Sequence, residues 1–349
     1  MADTRWRIMK EGGTGVGEVA RFETCEGRNI YCLPIEVFPN FVGNVYVISD
    51  GETRLLVDCG SPMPNCNENL IAAMAQIGEK FGEPISLADI DKILITHGHI
   101  DHFGGLNFVR KHTDAPVGVH ILDRRILSHY AERVVVAAKS LAIFLAGSGL
   151  SETSQEATMQ MYMVTKSFYQ PTDVGFELAE GETLAENIEV VHVPGHCPGQ
   201  VCLEVDDILL VADHVLSRIT PHQSPESLTL NMGLGHYLDS LTKIERYTDF
   251  RVALGGHEDP IPDLPSRVAE IKQAHDRRLN KVLELCHEPC SALAVSKGLF
   301  GKVRGYNVLL ALEEAAAHVE YLYQRGELVA SNVETLRDPA QPVIEYVTA

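Results

Sequence analysis

The chain has no apolar run long enough to cross a bilayer: the longest, Val134 to Ala146, is interrupted by Lys139, whereas a spanning helix needs about 20 apolar residues. No membrane association is therefore expected. Nor does the segment from Met1 to Lys10 show the apolar core and small-residue cleavage site of a secretory signal, which makes a cytoplasmic protein the expectation. Cations are scarce, with 29 Lys and Arg against 48 Asp and Glu and a formal net charge of −19. Such a surface repels a polyphosphate backbone unless basic residues are segregated, and no basic run exists, so nucleic acid is not an expected partner. The eight cysteines never form a CxxC pair, and a chain of this size needs no staples, so free thiols are the default.

What is present is a globular pattern: 349 residues that are 45% hydrophobic, enough for a full core and, on size alone, for two domains. Strand patterning marks Asn44 to Ser49 and Arg54 to Asp58 around an Asp50-Gly51 turn, then Ile90 to Thr96 and Pro116 to His120. Leu70, Ile71, Met74 and Ile77 predict a helix over 67–81 stopped by Gly82, and a second is expected from Gly104 to Lys111. Strand signals resume at Glu189 to Val193, Val201 to Val205 and Ile208 to Val211. This alternation is α/β.

Between these blocks, residues 124–170 read as two helices split by Gly147-Ser148-Gly149, rich in apolar residues such as Leu141, Phe144, Met159 and Tyr162. An inserted helical cap is expected there. Beyond Pro265 helical periodicity dominates (about 265–286, 290–298 and 306–325), followed by two short strand-like runs. The expected division is a layered α/β domain over 1–263 and a smaller helical domain over 264–349.

The densest chemical signal is Thr96-His97-Gly98-His99-Ile100-Asp101-His102, directly after a strand. Three imidazoles and a carboxylate in six positions are hard to explain by packing. The set suits Zn²⁺ first, iron or manganese next, and poorly suits Mg²⁺ or Ca²⁺, which want mostly oxygen. Four candidate ligands on one loop fit two ions better than one. His196 in Pro194-Gly-His-Cys-Pro198, Asp213 after Ile208 to Ala212, and His257 in Gly255-Gly-His-Glu258 also stand at strand ends beside loop formers. Singly each has a bland reading as a turn or surface residue.

Together these residues resemble the metallo-β-lactamase fold superfamily, whose HxHxDH segment is followed by a lone His, a lone Asp and a last His; all seven positions are filled here, and the likeness covers about residues 30–263. Among its branches the chain is similar to glyoxalase II-like and lactonase-like hydrolases. The resemblance implies a four-layer αββα sandwich. It also implies that His97, His99 and His196 hold one divalent ion, that Asp101, His102 and His257 hold the other, and that Asp213 bridges them. A metal-activated hydroxide would then attack a carbonyl, with Asp101 shuttling the proton to the leaving group.

Asp58, in the similar Leu-Val-Asp-Cys-Gly turn, is expected to orient a ligand, or only to form the turn. His214 is expected either to be satisfied or to face the substrate, and Tyr237 to help hold the oxyanion. By strand alternation His192 faces the core.

The expected substrate is a small molecule with an apolar acyl part joined through a thioester, ester or lactone. Two other readings compete. One is a mononuclear iron oxidoreductase similar to persulfide dioxygenases, which share the HxHxDH segment but use fewer ligands. The other is a regulatory or binding module, because the terminal helices and strands resemble a winged helix. From Asp276 to Glu327, however, seven Lys and Arg face seven Asp and Glu, so no basic recognition face stands out. The terminal helices are instead expected to shape the rim of the site or to form a homodimer contact.

Overall fold

The computed structural model describes residues 15–165, 169–185, 188–338, 340 and 342–349. The N-terminal segment read for a secretory signal and residues 166–168 of the expected cap lie outside them.

Among the described residues, β1 (Ala20–Glu23), β2 (Asn29–Phe38), β3 (Phe41–Ser49), β4 (Arg54–Val57), β5 (Lys92–Ile95), β6 (Val117–Val119) and β7 (Phe176–Glu177) form one sheet in sequence order. The first four pair antiparallel and the rest parallel. A second sheet is ordered β12-β11-β10-β9-β8, from β8 (Thr183–Ala185), β9 (Ile188–His192), β10 (Val201–Val205), β11 (Ile208–Ala212) and β12 (Val252–Gly255). The helices are α1 (Pro64–Phe81), α2 (Ile100–Phe103), α3 (Leu106–Val109), α4 (Arg124–Ser128), α5 (Tyr130–Gly147), α6 (Glu152–Thr165), α7 (Leu234–Ile244), α8 (Leu264–Leu285), α9 (Ala292–Phe300) and α10 (Asn307–Gln324).

Three apolar cores separate four layers, the αββα sandwich that the family resemblance implies. The outer face of the first sheet (Tyr31, Leu33, Val47, Leu56) packs on Leu70, Met74 and Ile77 of α1. Its inner face (Ile30, Ile48, Leu55, Leu94) meets Val190, Leu203 and Leu210 of the second sheet. On the far side Val191, Leu209 and Val211 pack on Leu234 and Leu241 of α7 and on Val268 and Ile271 of α8. Alternation along each strand sends successive side chains to opposite cores, which is why both sheets read as nearly continuous apolar runs. Helix α1 begins a turn earlier than its apolar period suggests, because Pro64 supplies a preset φ where an amide donor is not needed; Gly82, at φ 73°, ends it.

Helix α8 continues past the sandwich, so its Val282 joins Val295, Val319 and Leu322 of α9 and α10 in a further core. There β13 (Cys290–Ser291), β15 (Glu345–Thr348) and β14 (Leu328–Ala330) form a small sheet in that order. The cap helices lie between these units. Leu127 and Tyr130 enter the first core, whereas Leu141, Leu145, Phe144 and Met159 pack with Leu309 and Leu312 of α10. Much of the cap's apolar inventory is thus spent on packing. No described helix is long and apolar enough to cross a membrane.

Candidate metal centre

The proposed ligands converge at one edge of the sandwich because each follows a strand. His97 and His99 leave β5, Asp101 and His102 stand in the first turn of α2, His196 follows β9, Asp213 follows β11 and His257 follows β12. The helix expected over 104–111 is instead a single turn, α3, separated from the preceding turn α2 by Gly104-Gly105. A Cβ on Gly104 would strike Ile100 and Pro62, and one on Gly105 would strike the Cys59 carbonyl, so the chain presses directly on the turn that follows β4. That contact is sealed by the Cys59 amide donating to the His102 carbonyl at 2.8 Å.

The ligand atoms form three groups, each with atoms within 4.8 Å of one another: His97, His99 and His196; His97, His102 and Asp213; and Asp101, His102 and His257. The partners of the other ring nitrogens fix which one is left bare. His196 Nδ1 donates to the His222 carbonyl at 2.7 Å, and His257 Nδ1 donates to the Val42 carbonyl at 2.7 Å. A carbonyl only accepts, so in the neutral imidazole Nε2 of each ring is the nitrogen that presents a lone pair.

Asp58 performs the same task for His102. Its Oδ2 lies 2.8 Å from His102 Nδ1 and also accepts from the Thr96 hydroxyl at 2.8 Å, while Oδ1 accepts the Thr96 amide at 2.8 Å. With its proton directed at Asp58, the Thr96 oxygen is free to accept from His97 Nδ1 at 3.0 Å, which leaves His97 Nε2 facing His99 Nδ1 at 3.1 Å.

Four buried atoms at this centre have no hydrogen-bond partner: Nε2 of His102, His196 and His257, and Oδ1 of Asp213. Buried polar atoms are rarely left so, and a concentration of them on nitrogen and carboxylate donors is what a bound cation would satisfy. The residues present therefore fit divalent metal.

Charge follows the same layout. Burial, reinforced by the neighbouring imidazoles, holds His97 and His99 well below the ordinary histidine range, and burial also lowers His196. Burial opposes protonation of His102 and His257 as well, but Asp213 with Asp58 or Asp101 outweighs it, so His102 lies well above its usual value and His257 is raised to about 10. Burial likewise disfavours the Asp213 carboxylate, yet His257 and His102 hold its pKa well below normal.

The loops are held by contacts the sequence did not reveal. Asp123, fully buried before α4, accepts the Gly98 amide at 2.7 Å and the Gly199 amide at 3.1 Å, tying the HxHxDH loop to the His196 loop. Its only sequence signal is a polar residue beyond a strand. Gly256 is required where β12 ends, since a Cβ there would collide with Asp213 Oδ1 and stand 2.8 Å from His102 Cε1. Ala212, at φ 43°, adopts a left-handed backbone that costs a non-glycine residue about 1–3 kcal/mol, and this turn aims Asp213 inward.

Three expectations change. Tyr237 is completely buried, and its hydroxyl donates to the His214 carbonyl at 2.9 Å, so its proton is committed to the backbone and not to an oxyanion. His214 does not face a substrate: it is fully buried edge-on to the Tyr237 ring at 5.4 Å, and burial pushes its pKa down to about 3. His192 is half-buried, stacked on His120 at 3.9 Å with Nε2 on the Pro198 carbonyl, and so is not a core residue.

Residues 39–257 match the family model described as the metallo-beta-lactamase superfamily. The probable metallo-hydrolase YflN of Bacillus subtilis is 26% identical over 58% of this chain and 70% of its own length. The atrochrysone carboxyl ACP thioesterase of Aspergillus fumigatus is 25% identical over 80% of this chain, which spans 52% of that protein. A solved metallo-beta-lactamase family protein from Thermus thermophilus superposes with a TM-score of 0.74 at 26% identity, covering 92% of this chain and 98% of the other.

Proposed function

The chain belongs to the metallo-beta-lactamase superfamily, and from that premise we propose that it is a dinuclear metal-dependent hydrolase of carbonyl substrates, with a thioester, ester or lactone bearing an apolar acyl part as substrate. The observation that carries the reading is the set of four unpartnered buried donor atoms on His102, His196, His257 and Asp213. His97, His99 and His196 would hold one ion, Asp101, His102 and His257 the other, with Asp213 between them; the nitrogen-rich set favours Zn²⁺. When bound, two such ions supply a nucleophilic water of lowered pKa and positive charge against the developing oxyanion.

The chain's own part is positioning and proton transfer. Asp58, Thr96 and the carbonyls of Val42 and His222 fix the tautomers of the ligand rings, as such partners do in metal sites. Asp101 is the carboxylate that takes a proton from the nucleophile and returns it to the leaving group. Its side chain is the more exposed of the two acidic donors, 15% against 9% for Asp213, and its Oδ2 is 3.5 Å from His257 Nε2. A thioester is supported by the thioesterase activity of the Aspergillus relative, an ester or lactone by the same carbonyl chemistry.

Elemental analysis of gently purified protein tests the reading, with close to two ions per chain expected. His97→Ala and Asp213→Ala should lose metal and activity while keeping the fold, because the site sits on loops of a large core. A panel of thioesters, lactones, β-lactams and phosphodiesters then assigns the bond. One iron and no zinc, or phosphodiester turnover far above ester turnover, overturns the proposal.

A further inference from the structure

The three rings whose Nδ1 is fixed by a carboxylate or carbonyl outside the ligand set are not anchored by the same part of the molecule. His102 leans on Asp58 in the turn after β4, and His257 on the Val42 carbonyl within β3; both anchors belong to the sandwich. His196 leans on the His222 carbonyl, in a segment, residues 213–233, that has neither helix nor strand apart from one bridge at Met232. Its position must therefore come from side chains.

At His222 and Gln223 those side chains come from the terminal helices, whereas earlier in the segment Glu258, in the turn after β12, accepts the Arg218 amide at 2.7 Å and the Ile219 amide at 3.3 Å. From α10, Glu313 lies 3.1 Å from His222 Nε2, and Glu314 lies 3.4 Å from His222 Nδ1 while accepting the Gln223 amide at 2.7 Å. Further along α10, Glu320 accepts the Glu226 amide at 2.6 Å. From α8, Arg278 pairs with Glu314 at 3.2 Å and donates to the Thr220 hydroxyl at 2.9 Å, and Arg267 donates to the carbonyls of Leu216 and Ile219. The peptide that orients His196 is thus gripped from the side of the terminal helices, by both nitrogens of the His222 ring and by the next amide.

We propose that His222, held by Glu313 and Glu314 of α10, is a positioning residue for His196, so that the terminal helices set the affinity of the ion at His97, His99 and His196 and leave the ion at Asp101, His102 and His257 unaffected. The inference rests on the two-ion reading above. A carbonyl that aims a ligand ring changes metal affinity by ~10–100-fold when lost. Here the carbonyl cannot be removed by substitution, but its placement can be released by cutting the side-chain grip.

The test is titration of the metal-free full-length chain with Co²⁺ against a competing chelator, which yields a dissociation constant for each ion, together with the Co²⁺ ligand-field spectrum. His222→Ala is expected to weaken one ion by ~10–100-fold, to change the spectrum of that ion alone and to leave the other constant unchanged. Glu313→Gln, at a partly buried position, should act in the same direction more weakly. His222→Gln, which keeps a donor toward the α10 carboxylates, should recover most of the loss.

Wild-type constants for both ions in His222→Ala and Glu313→Gln overturn the proposal, as does an equal weakening of both ions accompanied by a lower unfolding midpoint. If His222→Ala does not fold, Glu313→Gln decides. Wild-type protein that takes up a single ion defeats the two-ion function. The grip is then judged on that ion: loss of affinity in Glu313→Gln supports it and an unchanged affinity overturns it.

Discussion

Asp58 Oδ2 and His102 Nδ1 lie 2.8 Å apart, both nearly inaccessible to solvent. Asp58 holds a left-handed backbone at φ 61°, a conformation in which Asp and Asn are the best tolerated side chains after Gly. The residue thus serves two needs at once, the turn after β4 and the orientation of the His102 ring, which the sequence presented as alternatives.

Substitutions at Asp58 separate those needs. Asp58→Asn keeps the backbone conformation and loses the charge, whereas Asp58→Ala also loses the left-handed preference, worth about 1 kcal/mol or more. Both are expected to weaken metal binding by about 10–100-fold, and only Asp58→Ala should also lower the denaturation midpoint of the metal-free protein. Chelator competition and urea titration of the two variants measure the split.

Gly256→Ala adds one methyl group against Asp213 Oδ1 and His102 Cε1. The expected outcome is loss of metal from both ion positions, because Asp213, which groups with His97 and His102, is the residue proposed to stand between the two ions, with little change in unfolding of the metal-free chain. Two ions per chain in this variant would show that the turn after β12 can yield.

Acid stability should depend on His275, which is fully buried on α8 with Nδ1 3.1 Å from His318 Nε2. Burial, helped by His318 and opposed by Glu314, pushes its pKa down to about 3, against about 6.5 in an unfolded chain. The unfolded state therefore takes a proton first as pH falls. The stability His275 contributes is whole above about pH 6.5 and drains away toward about pH 3, at no more than about 1.4 kcal/mol per pH unit. His275→Leu should flatten the acid limb of the stability curve in that window, and an unchanged slope would show that His275 does not govern it.

Phe144 packs beside Leu141, Leu145 and Leu309, joining the cap to α10. Its truncation to Ala is expected to destabilise the protein by about 1–3 kcal/mol and to leave the ratio of kcat/KM for long and short acyl substrates unchanged. A selective loss on long acyl chains would instead make Phe144 part of the acyl pocket.

The sequence alone disclosed whatever depends on local pattern. His97, His99, Asp101 and His102 are contiguous, so their convergence follows from any loop that leaves a strand, and the helical period at Leu70, Met74 and Ile77 is a property of one element. Asp123, by contrast, bridges Gly98 and Gly199, and His222 orients His196 through a carbonyl. Neither role depends on local pattern, because each exists only where loops far apart in the chain are brought to one edge of the sandwich. Tyr237 shows the same limit from the other side: the sequence displays a hydroxyl, but only the packing of α7 against the Asp213-His214 turn decides that its proton goes to a backbone carbonyl. The cap's apolar residues are equally ambiguous as a string, since packing and substrate binding draw on the same side chains. The tertiary structure decides for packing at Leu141, Phe144 and Leu145, because burial against α10 is where their apolar area leaves water.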